Sequence, residues 1–228
     1  MKLKLIPVLC FGVAILLNSM TMSEASELQA IRLPQPQILQ GKTLMQALSE
    51  RRTAREFAPE DIPPQTLSNL LWAAFGINRP ESGRRTAPSA LNKQEIDIYV
   101  VTKAGIYRYD PKPNLLIPVA TGDMRALAGL QGYVKDAPLN LVYVADFSKM
   151  GASQDSEKRF LSAADTGFIS QNVYLYCASE GLATVVRAGI DRTKLGEAMK
   201  LGTDQKITLA QTVGYPLSKS PEHSLPKK

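Results

Sequence analysis

The chain has 228 residues, enough for one large domain or two small ones with a real core, and its 44% hydrophobic share argues against a disordered chain. Its net charge of +6 is not gathered into a basic run, so nucleic acid is not expected as a partner. His223 is the sole histidine and sits in a polar tail, which leaves a histidine metal centre or a serine–histidine relay almost nothing to build on.

The start reads as an export signal. Met1-Lys2-Leu3-Lys4 is basic, Leu5 to Leu17 is apolar apart from Pro7 and Gly12, and Ser23-Glu24-Ala25 offers a small-x-small pattern before a cut near Ser26. Residues 1–25 are therefore expected to direct the protein out of the cytoplasm, to the periplasm. The apolar run is short for a membrane span; left uncleaved, it would act as an anchor. Cys10 lacks the small residues that precede a lipidated cysteine, and the start contains no twin arginine. Removal of the signal leaves Cys177 as the only cysteine, so no disulfide is expected within one mature chain. Its apolar helical surroundings predict a buried, inert thiol.

Residues 26–42 are proline-punctuated and read as an extended lead-in to a domain over 43–217. Thr43-Leu44-Met45-Gln46 has the form of a capping box and predicts a helix start. That helix carries Leu44 and Leu48 and is expected to end in Glu50-Arg51-Arg52-Thr53-Ala54-Arg55-Glu56-Phe57. Three arginines within five positions repel one another unless water or an anion lies among them. A solvated helix end suits them. So does a phosphate, whose oxygens match the planar fork of the guanidinium.

Glu60 to Pro64 is a turn. Leu67, Leu70, Leu71 and Ala74 then recur at helical spacing up to a stop at Gly76, with Trp72 at the core or its edge. Asn78 to Pro88 reads as a loop in which Arg79 and Arg84 are solvated. Ala87-Pro88-Ser89-Ala90-Leu91-Asn92-Lys93-Gln94 is a small-residue turn with hydroxyl and amide donors, suited to a ligand.

Ile96 to Thr102 and Ile106 to Asp110 form a hairpin, expected near a sheet edge. A short helix is expected between Gly122 and Leu130. Leu139 to Ala145 is apolar on nearly both faces and predicts a central, covered strand. Glu157 to Glu180 is the longest helix, with Phe160, Ala164, Ile169, Val173 and Cys177 as its expected apolar stripe, Gln171-Asn172 in its middle and Gly181 as a left-handed stop. Leu182 to Val186 is a strand, Asp191 caps a helix with Leu195 and Met199, and Ile207 to Val213 is the last strand. Residues 218–228 form a polar tail. Without a regular βα alternation or a Gly-x-Gly-x-x-Gly turn, the pattern is that of an α+β layer fold rather than a Rossmann fold.

Several of these stretches share their order with a known family. Arg51-Arg52-Thr53-x-Arg55-x-Phe57, Pro88-Ser89-Ala90-x-Asn92, Lys135-Asp136-Ala137-Pro138, the helix with Gln171-Asn172, Gly181-Leu182-Ala183-Thr184 and Val213-Gly214-Tyr215-Pro216 together resemble the nitroreductase family from about Leu44 to Pro216. The Gly105 to Asp110 hairpin is similar to the branch that includes the SagB-type dehydrogenases. The resemblance implies a central, mainly antiparallel sheet flanked by helices, and an intertwined homodimer with FMN at each subunit interface. It implies that Arg51, Arg52 and Thr53, with Arg55 nearby, hold the phosphate and the pyrimidine edge of the ring. Pro88, Ser89, Ala90 and Asn92 would come from the partner subunit, with Asn92 near flavin N5. Lys219 is the nearest candidate for a basic residue that completes the phosphate site.

The implied activity is electron or hydride transfer between a reduced donor, such as NAD(P)H, and a small nitro, quinone or enone acceptor, or the dehydrogenation of a small substrate. The flavin supplies that chemistry, in keeping with a sequence that displays no catalytic acid–base pair. Two features depart from the pattern. Arg187 replaces a small or acidic residue, and is expected either to select an anionic substrate or to pair with a carboxylate. Export separates the protein from cytoplasmic NAD(P)H, so the donor or substrate differs, or the start anchors the chain. An exported binding protein that kept the fold and lost flavin is the alternative function.

Overall fold

The computed structural model describes residues 28–217. The expected export signal (residues 1–25) and the whole of the expected tail (218–228), Lys219 included, therefore lie outside the described residues.

The elements, in chain order, are β1 (Ile31–Arg32), α1 (Leu44–Glu50), α2 (Pro64–Phe75), β2 (Ile77–Arg79), β3 (Arg84–Arg85), β4 (Ile96–Val101), β5 (Gly105–Asp110), β6 (Leu115–Thr121), β7 (Leu139–Asp146), α3 (Asp155–Glu180), β8 (Ala183–Arg187), α4 (Arg192–Ala198) and β9 (Gln205–Gly214). Short 3-10 turns cover Ala90–Asn92, Arg125–Ala128, Gly132–Val134 and Phe147–Met150. Seven strands form one sheet in the order β1-β6-β5-β4-β7-β9-β8, and each neighbouring pair is antiparallel.

β7 is the central strand the sequence predicts: seven of its eight residues are buried. Its alternation divides the core in two. Leu139, Leu141, Tyr143 and Ala145 join Ile96, Ile98 and Val100 of β4 under α2 and α3, with Leu70, Leu71, Ile169, Val173 and Cys177. Val142 and Val144 face the opposite side with Val101, Ile106, Leu195 and Met199. The period of two along β4 and β7 thus puts α2 and α3 on one face and α4 with the 125–134 turns on the other.

Local signals act where they are expected. Thr43 caps α1 through a complete capping box with Gln46, an arrangement of about 1 kcal/mol. Gly181 ends α3 at φ 72° and ψ 23°, a left-handed conformation that favours glycine. Asp191 accepts the Lys194 amide at the start of α4. The lead-in is tied down at several points: β1 pairs with β6, the Pro34 carbonyl accepts from Ser68 and Asn114, and the Lys42 amide donates to Ser179 Oγ.

Four expectations change. The β4–β5 hairpin is not near an edge, because β6 and β1 lie outside it. β6 itself goes unpredicted; Pro118 interrupts its apolar run, and the register with β5 shifts next to Tyr107, its partner. The 78–88 loop contains the short β2–β3 ribbon. The stripe of α3 is in another phase along the first half of the helix. Phe160 is 74% exposed, while Ser162, Asp165, Thr166 and Ile169 are buried. Gln171 is exposed and Asn172 half-buried, so neither is a core amide.

Candidate active site

α1 stops at Glu50, and Arg51 is its C-cap, donating its amide to the Ala47 carbonyl. The remaining arginines therefore lie beyond the helix rather than in its last turn. The segment after Arg51 is extended and runs beside β8, the edge strand. The Ala54 amide donates to the Thr184 carbonyl at 3.0 Å, the Ala58 amide to the Tyr215 carbonyl at 2.9 Å, and Phe57 forms a bridge with Pro216. An extended backbone spreads the guanidinium groups out, where a helix end would stack them against one carbonyl cap.

One tyrosine organises this segment. The Tyr174 hydroxyl lies 3.0 Å from Thr53 Oγ1 and accepts the Val186 amide at 3.0 Å. The Arg51 guanidinium stands over the same ring, 5.4 Å from its centroid, a cation–π contact. Arg51 is half-buried; Arg52, Thr53 and Arg55 are exposed. None of the ion pairs among the described residues takes Arg51, Arg52 or Arg55. Three guanidinium groups on one short segment, in no ion pair among the described residues, offer charge-assisted donors to an anion, so the residue types fit a phosphate.

The second stretch is a tight, heavily bonded turn. Leu91, Asn92 and Gln94 have φ of 52°, 53° and 49°, in the left-handed region. Such a backbone persists only where its surroundings hold it. The Gln94 amide donates to Ser89 Oγ at 2.9 Å, the Asn92 amide to the Ser89 carbonyl at 2.9 Å, and the Gln94 side chain to Asn92 Oδ1 and the Gly83 carbonyl. Arg85 donates to Gln94 Oε1 at 2.8 Å and to the Phe75 carbonyl at 3.0 Å, and stacks on Phe75. The Ala90 amide donates to Asp165 Oδ2 at 2.8 Å. Pro88 and Asn92 are exposed, Ser89 and Ala90 half-buried. Arg79 and Arg84 are exposed, as the sequence predicts.

The two stretches both anchor on α3 but on different flanks. Asp165 and Tyr174 are about two and a half turns apart, roughly 14 Å along the axis, and about half a revolution apart around it. A single chain therefore sends the arginine segment and the Ser89–Asn92 turn away from opposite sides of one helix.

Arg187 departs from both sequence expectations. It is 7% exposed and meets no carboxylate among the described residues. Its guanidinium donates to Thr212 Oγ1, the Ala128 carbonyl and Asn140 Oδ1. Nε, the one guanidinium nitrogen with no hydrogen-bond partner among the described residues, faces Gly129, where an added Cβ would collide with it. Backbone closes that direction, so no anion reaches it. Burial pushes Arg187 down to about 10, which still leaves it charged at neutral pH. Its role is to tie β7, β8, β9 and the 125–128 turn together.

Sequence reasoning missed Tyr174, Asp165 and Glu95. The first two belong to the buried arc of α3, at Ser162, Asp165, Thr166, Ile169, Ser170, Val173, Tyr174 and Cys177. An apolar-only stripe passes over that arc, because half its members are polar. An acidic residue in phase with Ile169 was the available signal. Cys177 is buried and its thiol is pushed well above the usual range by burial, as expected of an inert cysteine.

The nitroreductase family model matches residues 48–215, which span both ligand stretches and the whole sheet beyond β1. The chain belongs to the nitroreductase family. Its activity is that of a flavin-dependent oxidoreductase. A nitroreductase-family protein of Methanocaldococcus jannaschii is 29% identical over 168 residues, covering 69% of this chain and 84% of that one. A nitroreductase-family structure from Ralstonia eutropha is 43% identical, with a TM-score of 0.79 over 83% of this chain and 90% of that one. An NADPH:FMN oxidoreductase of Vibrio harveyi, complexed with NAD+, shares the fold at 20% identity, with a TM-score of 0.58 over 77% and 69% of the two chains. The nitroreductase fold thus accounts for the antiparallel sheet and its flanking helices.

Proposed function

We propose that this nitroreductase passes two electrons from a reduced donor to a small organic acceptor, such as a nitro, quinone or enone compound, at an FMN site shared by two copies of the chain. The observation that carries this reading is that Arg51, Arg52 and Arg55, on the segment held by Thr53 and Tyr174, take part in no ion pair among the described residues. Arg51, Arg52 and Thr53, with Arg55 nearby, hold the phosphate and the pyrimidine edge, and Lys219 completes the phosphate site. Charge-assisted bonds of about 1.5–3 kcal/mol each offset the repulsion among the arginines. When bound, the flavin supplies the electron or hydride transfer. The protein binds it, orients it and places donors along its edge.

The opposite flanks of α3 support a second copy as the source of Pro88, Ser89, Ala90 and Asn92. So do the exposed apolar side chains Leu44, Met45, Leu48, Leu91, Phe160 and Phe168, which a homodimer covers. The donor is NAD(P)H or, if residues 1–25 export the chain to the periplasm, another reductant available there. The hairpin resemblance to SagB-type dehydrogenases supports the same transfer run in reverse, as dehydrogenation of a small substrate.

The deciding experiment is the visible spectrum of the purified protein before and after incubation with FMN and dialysis. Flavin bands at one equivalent per subunit support the enzyme. A colourless protein that refuses FMN supports the exported binding protein and returns Arg51 to Arg55 to a solvated or partner-binding face.

A further inference from the structure

Behind the Ser89–Gln94 turn two carboxyl groups are buried together. Glu95 follows the turn and leads into β4. It is fully buried, and neither of its carboxyl oxygens has a hydrogen-bond partner. Asp165 on α3 is 3% exposed and accepts the Ala90 amide. The side chains that act on the Glu95 carboxyl are Asp165 and Ser162, both from α3. No cation pairs with either carboxyl group among the described residues.

Two buried negative charges without a counter-ion are not held together; one group takes a proton instead. The two groups have different partners. Asp165 accepts a full hydrogen bond from the Ala90 amide, while the Glu95 oxygens, with only their own backbone amide and Ser162 as nearby donors, make no such bond among the described residues. Burial first, and the Asp165 carboxylate after it, raise the Glu95 carboxyl above its ordinary range.

We propose that Glu95 and Asp165 are a buried carboxyl pair holding one proton, with Glu95 as the protonated member, and that through the Asp165–Ala90 bond this pair is the positioning element for the Ser89–Asn92 turn. The left-handed backbone at Leu91, Asn92 and Gln94 needs such an anchor. The consequence for ligand binding rests on the FMN reading above. Loss of the proton puts a second charge beside Asp165 and loosens its hold on Ala90. The turn, and with it Ser89 and Asn92, then slackens as pH rises.

The sign follows from linkage. Between the pKa of an unfolded glutamate and the raised value of Glu95, the unfolded chain releases a proton that the native chain keeps, so stability falls with rising pH. Glu95→Gln keeps the shape of the protonated acid and removes the titration. Melting temperatures of wild type and Glu95→Gln, measured from pH 5 to 9, should converge at the acidic end. At the alkaline end the variant should be higher by about 3 °C or more, as expected for a chain of this size. Parallel curves overturn the shared proton.

FMN titrations test the positioning role. Wild-type affinity should weaken as pH rises, and Glu95→Gln should show no such slope. Asp165→Ala should bind FMN about tenfold more weakly than wild type at acidic pH, the loss of one anchoring bond to an ionised acceptor, with the gap narrowing as pH rises. Asp165→Asn keeps an oxygen for the Ala90 amide, so it should restore the affinity while abolishing the slope. Unchanged affinity in Asp165→Ala, or no rescue by Asp165→Asn, overturns the positioning role. If wild type takes up no FMN at any pH, the flavin reading fails, and the melting curves still decide the pair.

Discussion

The hydroxyl of Tyr174 stands 3.0 Å from the hydroxyl of Thr53, and that contact fastens the arginine segment to the longest helix of the fold. Tyr174 also accepts the amide of Val186 on the edge strand. One phenol thus joins α3, β8 and the segment 51–57. Its oxygen accepts from Val186, and either hydroxyl can donate in the contact with Thr53.

Tyr174→Phe removes both bonds and leaves the Val186 amide without its acceptor. The expected cost is about 1–3 kcal/mol of stability, read as a lower urea midpoint at unchanged slope. FMN affinity should fall several-fold with it, because Thr53 loses its support, while the ring beneath Arg51 remains. A variant with wild-type midpoint and affinity would remove Tyr174 from the site.

Arg51→Ala combined with Arg52→Ala should strip the flavin. Two charge-assisted bonds of about 1.5–3 kcal/mol each correspond to roughly a 10²–10⁴-fold weaker Kd. Absorbance of the protein after dialysis reads the outcome. A double variant that purifies yellow at full occupancy would sink the phosphate assignment. The fold should survive, since Arg52 is exposed and the capping box of α1 lies at its other end.

Arg187→Met should destabilise the protein without a specific effect on the charge of the substrate it accepts. The change leaves Asn140, Thr212 and the Ala128 carbonyl short of a donor in a buried place. A loss of about 3–5 kcal/mol is expected in urea unfolding. A stable variant that discriminates against anionic acceptors would instead restore Arg187 as a specificity residue.

Gly181→Ala tests backbone conformation alone. Nothing lies within 4 Å of the added Cβ, so the penalty comes only from the left-handed φ of 72°. The expected cost is about 1 kcal/mol, visible as a drop in melting temperature of a few degrees. No change would mean that the end of α3 relaxes to another cap.

Much of this was legible in the chain itself. The near-continuous apolar run from Leu139 to Ala145 announced a strand covered on both faces, and the two halves of the core lie on either side of it. Thr43 with Gln46, Gly181 and Asp191 marked helix ends through interactions that reach no further than one turn. The order of the arginine segment, the Pro88-Ser89-Ala90-x-Asn92 turn and the final Gly214-Tyr215-Pro216 pointed to the family before any coordinates did.

What the sequence determined by itself is therefore local chemistry: the helix caps and stops, the covered central strand, and the residue types of two ligand-suited stretches. Only the tertiary structure decided which groups meet. It placed Arg187 among Thr212, Asn140 and Ala128, put Asp165 under Ala90 and against Glu95, and set Tyr174 between Thr53 and Val186. The physical reason is that each of these contacts joins residues far apart along the chain. A polar side chain can be buried wherever a distant partner offers a bond, and no periodicity along the chain encodes where that partner lies.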